Sequence, residues 1–114
     1  GGTVHQGPQE MLKRGRVAHI SDPQGAQLLV LHSLVGDPVD SEPPVGAWLW
    51  DELWSNQPEQ SVAFYRELAG YEVIDDYPDY HILTREGLWR AGIRRVFNEQ
   101  LEMRWVPSVR VAPK

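Results

Sequence analysis

The chain has 114 residues, which is enough for a single domain with one hydrophobic core. Its net charge of −5 argues against a nucleic-acid surface, because phosphate recognition needs clustered Lys and Arg. The absence of cysteine excludes disulfides and thiolate metal sites. No apolar run approaches the ~20 residues that cross a bilayer and no signal peptide is visible, so we expect a cytoplasmic protein with no membrane partner.

The first part of the chain predicts three strands and a linker. Gly1–Gln9 has the composition of an extended segment, and Arg16–Ser21 and Ala26–Ser33 form a predicted hairpin. The turn Asp22-Pro23-Gln24-Gly25 suits this hairpin, because Pro fits the first central position and Gly tolerates a positive φ. Residues 36–46 are rich in Pro and acidic side chains, which predicts a solvated linker.

The rest of the chain predicts one helix among five strands. Trp48–Trp54 is a predicted strand, and a helix follows over Pro58–Ala69 with Gly70 just past its end. Ser55 or Asn56 is the expected N-cap. The remaining predicted strands are Tyr71–Asp76, Tyr80–Arg85, Leu88–Val96 and Met103–Val111. About eight strands and one main helix predict an α+β fold.

Two segments of the sequence resemble the glyoxalase/bleomycin-resistance/dioxygenase family, the vicinal oxygen chelate superfamily. Gly15-Arg16-Val17-Ala18-His19-Ile20-Ser21-Asp22-Pro23-Gln24-Gly25-Ala26 is similar to the end of one βαβββ unit of that family. Trp50-Asp51-Glu52-Leu53-Trp54, with the helix end Phe64-Tyr65-Arg66-Glu67-Leu68-Ala69-Gly70-Tyr71, is similar to the start of the next unit. The chain therefore looks like a family module that begins in the middle of a unit.

The resemblance implies one glyoxalase-like domain over residues 1–114, with a mostly antiparallel curved sheet and a circularly rearranged order. Residues 1–35 would be the last three strands of one unit, 47–102 a complete βαβββ unit, and 103–114 the first strand of the next. That last strand would pair with the N-terminal three strands, or the halves would be exchanged between two chains.

The same resemblance bears on self-association. The predicted helix would cover the outer face of one half of the sheet and leave the other half bare. Because a bare apolar sheet face is unstable in water, we expect a homodimer or a higher oligomer. The alternative is a polar outer face that needs no cover.

Family members often hold a metal ion on the concave face of the sheet through His, Glu or Gln. The resemblance places three of the four ligand positions on Trp50, on Leu29 and near Val106, and none of these side chains binds a metal. The fourth position falls within Leu88–Val96 and is not assigned to a residue. The four histidines lack the i,i+4 or His-x-His spacing of a metal site. We therefore predict no metal, no other cofactor and no metal-dependent chemistry.

An aromatic stripe takes the place of the metal ligands. Trp48, Trp50, Glu52 and Trp54 alternate along one predicted strand, so they share a face, which the resemblance makes the concave one. Three indoles and one carboxylate predict a pocket for a small hydrophobic or cationic molecule. The alternative is core packing between the two halves of the sheet, with Glu52 paired to Arg90 or Arg94.

Three further residues, Trp89, Ser108 and Arg110, complete the predicted ligand site. Trp89 would either line the cleft or close the core, as would Trp105, and Ser108 and Arg110 would offer polar contacts from the last strand. No residue is assigned as catalytic, because no nucleophile elbow or paired-carboxylate motif is present.

Three functions stay open at this point. The first is a metal-independent module that sequesters a drug or another hydrophobic or cationic molecule. The second is an enzyme that uses Glu52 as a general base, with a pKa raised by apolar surroundings. The third is a non-catalytic, oligomerising fragment of a tandem protein.

Overall fold

The computed structural model describes residues 1–11, 13–36, 41–98 and 101–113. Within these residues the fold is α+β, with eight strands and one helix in the predicted order. The elements are β1 (Thr3–Met11), β2 (Gly15–Ser21), β3 (Gln27–Ser33), β4 (Trp48–Ser55), α1 (Pro58–Ala69), β5 (Glu72–Tyr77), β6 (Tyr80–Arg85), β7 (Leu88–Arg95) and β8 (Arg104–Val109). Part of the predicted linker, residues 37–40, lies outside the described residues.

The first three strands form an antiparallel sheet in the order β1-β2-β3. The predicted turn between β2 and β3 is confirmed. Asp22 Oδ1 accepts hydrogen bonds from the backbone N–H groups of Gln24 (3.0 Å) and Ala26 (2.9 Å). Gly25 has a φ of 93°, the left-handed conformation that made glycine necessary at this position.

The other strands form a mixed sheet in the order β5-β6-β7-β4-β8. After β4 the chain crosses through α1 and then runs along β5 and β6, and β7 returns to lie parallel to β4. β8 pairs with the free side of β4 in an antiparallel ladder. In the described residues β8 contacts β3 without a ladder to the three-stranded sheet, so the expected pairing of the last strand is replaced by pairing with β4.

The helix α1 packs on one face of the five-stranded sheet and forms the core with it. The largest fully buried aliphatic side chains of that core are Leu53, Leu83 and Ile93. On the helix the buried residues are Pro58, Ser61 and Tyr65, whose spacing of three and four places them on one face. Leu68 was expected near this face but is 44% exposed.

The start of the helix differs from the expectation and its end agrees with it. Gln57 is the N-cap and makes no side-chain capping bond. Ser55 instead accepts a hydrogen bond from the Gln57 N–H (3.1 Å) and bonds to the Ser61 hydroxyl (2.8 Å) in the interior. Gly70 ends the helix with a φ of 71°, and its N–H donates to Arg66 O at 2.8 Å. The helix is therefore anchored to the last residue of β4.

A buried chain of hydrogen bonds joins the helix to both sheets. The Tyr65 hydroxyl donates to Asp22 Oδ2 at 2.8 Å, and Trp105 Nε1 donates to the Tyr65 oxygen at 3.1 Å. Burial, with the nearby charge of Asp22, raises the pKa of Tyr65, so the hydroxyl keeps the proton that it donates. Trp105 thus packs on the helix side of the sheet, which favours the core interpretation for this residue over the cleft.

Candidate functional site

The tryptophan stripe lies on the face of the five-stranded sheet that is opposite the helix. Leu53 is fully buried on the helix side, so strand alternation places Trp50, Glu52 and Trp54 on the other side. A contact within the stripe agrees with this placement, because Trp54 Nε1 donates to Glu52 Oε2 at 2.8 Å. Trp48 lies beyond an irregularity in the β4–β8 pairing and is 71% exposed, so it is not a core residue.

Glu52 is held by an arginine of the neighbouring strand β7. Arg94 donates from Nε to Oε2 at 2.9 Å and from Nη2 to Oε1 at 3.1 Å, a bidentate pair. Burial opposes the ionisation of Glu52, but hydrogen bonds from Arg94, Trp54 and Tyr80 outweigh it and lower the pKa of this carboxyl. The raised pKa expected for a general base is therefore wrong in direction, and both carboxylate oxygens are occupied.

Trp50 is fixed by Tyr80, the first residue of β6. Trp50 Nε1 donates to the Tyr80 hydroxyl at 2.8 Å, and the intervening strand β7 allows this contact because it carries Gly92 there. A Cβ at Gly92 would lie 2.1 Å from the Tyr80 oxygen. Arg94 covers the tyrosine ring, with its guanidinium carbon 4.8 Å from the ring centroid.

Sequence reasoning placed Tyr80 at the start of a predicted strand but missed its contact with Trp50. The available signal was Gly92, because a glycine inside a strand often marks a close approach of another group. Without the order β6-β7-β4, however, nothing in the sequence indicates which side chain makes that approach.

An open hollow of about 550 Å³ lies where β4 and β7 begin. These strands are parallel, so their first residues lie at the same edge of the sheet. The apolar side chains that line this aromatic hollow are Trp48, Leu49, Trp50, Leu88 and Trp89. Trp48 is 71% exposed and Trp89 is 57% exposed, so two indoles face solvent at one edge. The volume lies within the range of small-molecule sites.

One wall of the aromatic hollow is the segment Ser41–Pro43, and Arg110 fixes it. Arg110 Nη1 donates to Glu42 Oε1 and to the Pro43 carbonyl, both at 2.8 Å. The backbone N–H of Arg110 donates to Ala47 O at 2.9 Å, which continues the contact between the ends of β8 and β4. The predicted polar contact from Arg110 is thus a contact with the wall of the hollow.

The residues predicted for the ligand site fall into two groups in the structure. Trp48, Trp50 and Trp89 line the aromatic hollow, and Ser108 is exposed opposite Trp50 on β8. Glu52 and Trp54 lie two and four positions beyond Trp50 on β4, roughly 7 Å and 13 Å along the strand, and neither lines the hollow. Of the predicted site residues, a compact ligand in the hollow therefore contacts Trp48, Trp50 and Trp89.

Within the described residues, no group of three or more His, Cys, Asp or Glu side chains is arranged to hold a metal ion. The one helix of this part of the chain lacks the length and apolarity that crossing a membrane requires.

No protein-family model matches the chain, and no curated protein sequence matches it. Its function must therefore be inferred from its own residues.

Proposed function

We propose that this chain is a metal-independent binding module for a flat hydrophobic small molecule, which it holds in the aromatic hollow. The observation that carries the proposal is the exposure of Trp48 and Trp89 beside Trp50 around one open volume. Indole faces are large and flat, so they suit stacking with a planar ring. A ligand that covers ~100 Å² of this indole surface gains about 2.5 kcal/mol from apolar burial alone.

The ion pairs favour an uncharged ligand over a cationic one. Arg94 bonds to both oxygens of Glu52, so this carboxylate is already neutralised. Glu42 in the wall of the hollow is paired with Arg110. A cation in the hollow would therefore find indole faces without an unpaired carboxylate from either residue. The enzyme alternative also loses support, because a carboxylate with a lowered pKa is a weaker base.

The proposed scaffold for this site is a circularly rearranged glyoxalase-like module. The unit β4-α1-β5-β6-β7, in which β7 returns beside β4, has the order of elements that the resemblance implies. The hollow lies at an edge of the five-stranded sheet, and the stripe lies on the sheet face away from α1. The resemblance implies that ligands bind on this face. Strands β1–β3 and the added strand β8 supply the parts of a second unit without its helix.

A titration with a neutral planar dye such as Nile red tests the binding proposal. We expect saturable binding at one dye per chain, with quenching of tryptophan fluorescence. Trp48→Ala and Trp89→Ala should each weaken binding about tenfold, the loss of one good aromatic stacking contact. Phe97→Ala is the matched control, because Phe97 is an aromatic residue that is 77% exposed and does not line the hollow. Equal affinities of all three variants would refute the proposal.

Self-association through the three-stranded sheet is the second part of the proposal. Ala18 pairs with Val30 and Ile20 with Leu28, so these apolar side chains share one face. Leu28 packs against the core, whereas Ala18 and Val30 border a groove of about 520 Å³. The helix packs on the other sheet. A second copy that covers this face would bury its apolar surface.

Sedimentation velocity over a range of protein concentrations tests the dimer. We expect Val30→Lys to produce a monomer, because the charge would lie in the covered face. Leu29→Lys is the control on the opposite face, where Leu29 is 64% exposed, and it should leave the dimer intact. A monomeric wild-type protein, or equal behaviour of the two variants, would contradict this part.

A further inference from the structure

Two histidines meet on the three-stranded sheet through an irregularity in strand pairing. Val4 pairs with Ile20, but the next pair is Gln6 with His19, so His5 is an extra residue in β1. This bulge brings the His5 ring against the His19 ring. The ring centroids are 4.8 Å apart and the planes are inclined by 37°.

Both imidazoles direct the same ring nitrogen toward one pair of polar side chains. His5 Nε2 is hydrogen-bonded to Ser21 Oγ, and His19 Nε2 is hydrogen-bonded to Gln27 Oε1 at 2.8 Å. Ser21 and Gln27 are direct partners in the β2–β3 ladder, so their Cβ atoms are about 5 Å apart. Two hydrogen-bonded pairs, each of an imidazole nitrogen and a side-chain oxygen, therefore lie side by side on one face of the sheet.

We propose that His5 and His19, with Ser21 and Gln27 beside them, bind one divalent transition-metal ion that prefers imidazole ligands, such as Zn²⁺. Neutral imidazole is a good ligand for zinc, copper and nickel, and zinc accepts oxygen donors in its remaining positions. On binding, each Nε2 presents its lone pair to the ion, and the ring proton resides on Nδ1. The net charge of −5 favours the approach of a cation.

The other two histidines of the chain are placed differently. Val17 and its partner Leu31 lie on the same face as His19, because they are two residues away along the strands. His32 and its partner Arg16 are each one residue further along, so His32 lies on the opposite face of this sheet. His81 Nδ1 is bound to the Asp75 carboxylate at the five-stranded sheet. The proposed ion therefore belongs to one pair of histidines, and the aromatic hollow takes no part in it.

Isothermal titration of the metal-free protein with Zn²⁺ tests this site. We expect one ion per chain in the wild type, and His5→Gln or His19→Gln should weaken binding by at least about tenfold. His81→Gln is the control that removes a partnered histidine and should bind as the wild type does. Absence of binding by the wild type, or unchanged affinity in both His5→Gln and His19→Gln, would overturn the proposal.

A measurement on the wild type alone protects the test against variants that fail to fold. Substoichiometric Co²⁺ broadens the NMR signals of the rings that bind it. The expected result is loss of the His5 and His19 ring signals before those of His32 and His81. Broadening of His32 or His81 first, or uniform broadening of all four, would overturn the proposed site.

Discussion

Replacing Tyr65 with phenylalanine removes the hydroxyl oxygen through which the helix is hydrogen-bonded to both sheets. The Tyr65 O–H donates to Asp22 Oδ2 at 2.8 Å, and its oxygen accepts from Trp105 Nε1 at 3.1 Å. Tyr65 is 2% exposed and Asp22 is 3% exposed, so water has little access to the groups left behind. The substitution keeps the ring and therefore isolates the two hydrogen bonds.

The expected loss follows from these two bonds. A hydrogen bond to a charged acceptor contributes about 1.5–3 kcal/mol. The lower part of this range applies, because Asp22 Oδ1 keeps its bonds from the backbone N–H groups of Gln24 and Ala26. The half-buried Trp105 N–H loses its partner, which costs about 1 kcal/mol. Tyr65→Phe should therefore lower the free energy of unfolding by about 2–3 kcal/mol.

Urea denaturation followed by far-UV circular dichroism measures this loss as a lower midpoint with an unchanged m value. Tyr77→Phe is the control, because Tyr77 is 51% exposed, and it should stay within about 0.5 kcal/mol of the wild type. A change of less than about 0.5 kcal/mol for Tyr65→Phe would refute the reasoning. Packing, and not these hydrogen bonds, would then hold the helix and the two sheets together.

Four other substitutions test the backbone conformation of two glycines, the tryptophan face and the ion pair. Gly25→Ala should lower the free energy of unfolding by about 1–2 kcal/mol, because alanine is strained at a φ of 93°. Gly15→Ala should lower the stability measured in thermal melts by more, because its Cβ would also lie 1.9 Å from a backbone oxygen of β3. Equal losses of stability in the two variants would contradict this clash. Gly92→Ala should displace the Tyr80 hydroxyl, so its destabilisation should be smaller in a Tyr80→Leu background, and additive losses would contradict this contact. The pKa of Glu52 is lowered in the folded state, so its stabilisation is present above the unfolded pKa and is lost as pH falls through the folded pKa. Glu52→Gln should therefore be less stable than the wild type near neutral pH, with a difference that shrinks in acid; a difference independent of pH would contradict the ion pair.

The bounds of helices and strands were predictable where neighbouring residues in the sequence set them. The helix was expected over Pro58–Ala69 and is found there, because proline suits its first turn and Gly70 adopts the left-handed conformation at its end. The last strand was expected over Met103–Val111 and is found over Arg104–Val109, a difference at strand ends where no turn residue sets the boundary. Helix capping was less predictable, because Ser55 turned toward a buried partner.

The candidate site was predictable only in part. Alternation along β4 placed Trp50, Glu52 and Trp54 on one face, since side chains repeat every two residues in a strand. The sequence left Arg90 and Arg94 as equal partners for Glu52, and the register of β7 selected Arg94. The division of the stripe between an aromatic hollow and an ion-paired end also needed the positions of neighbouring strands.

The sequence by itself determined the class of the fold, the order of its elements and the shared face of the stripe. These depend on glycine and proline conformations and on side-chain periodicity, which act over a few neighbouring residues. The tertiary structure alone decided that β8 joins β4, that Glu52 is ionised and paired, and that His5 meets His19. These features depend on strand order and register, which bring together residues that are far apart in the chain and leave no local pattern in the sequence.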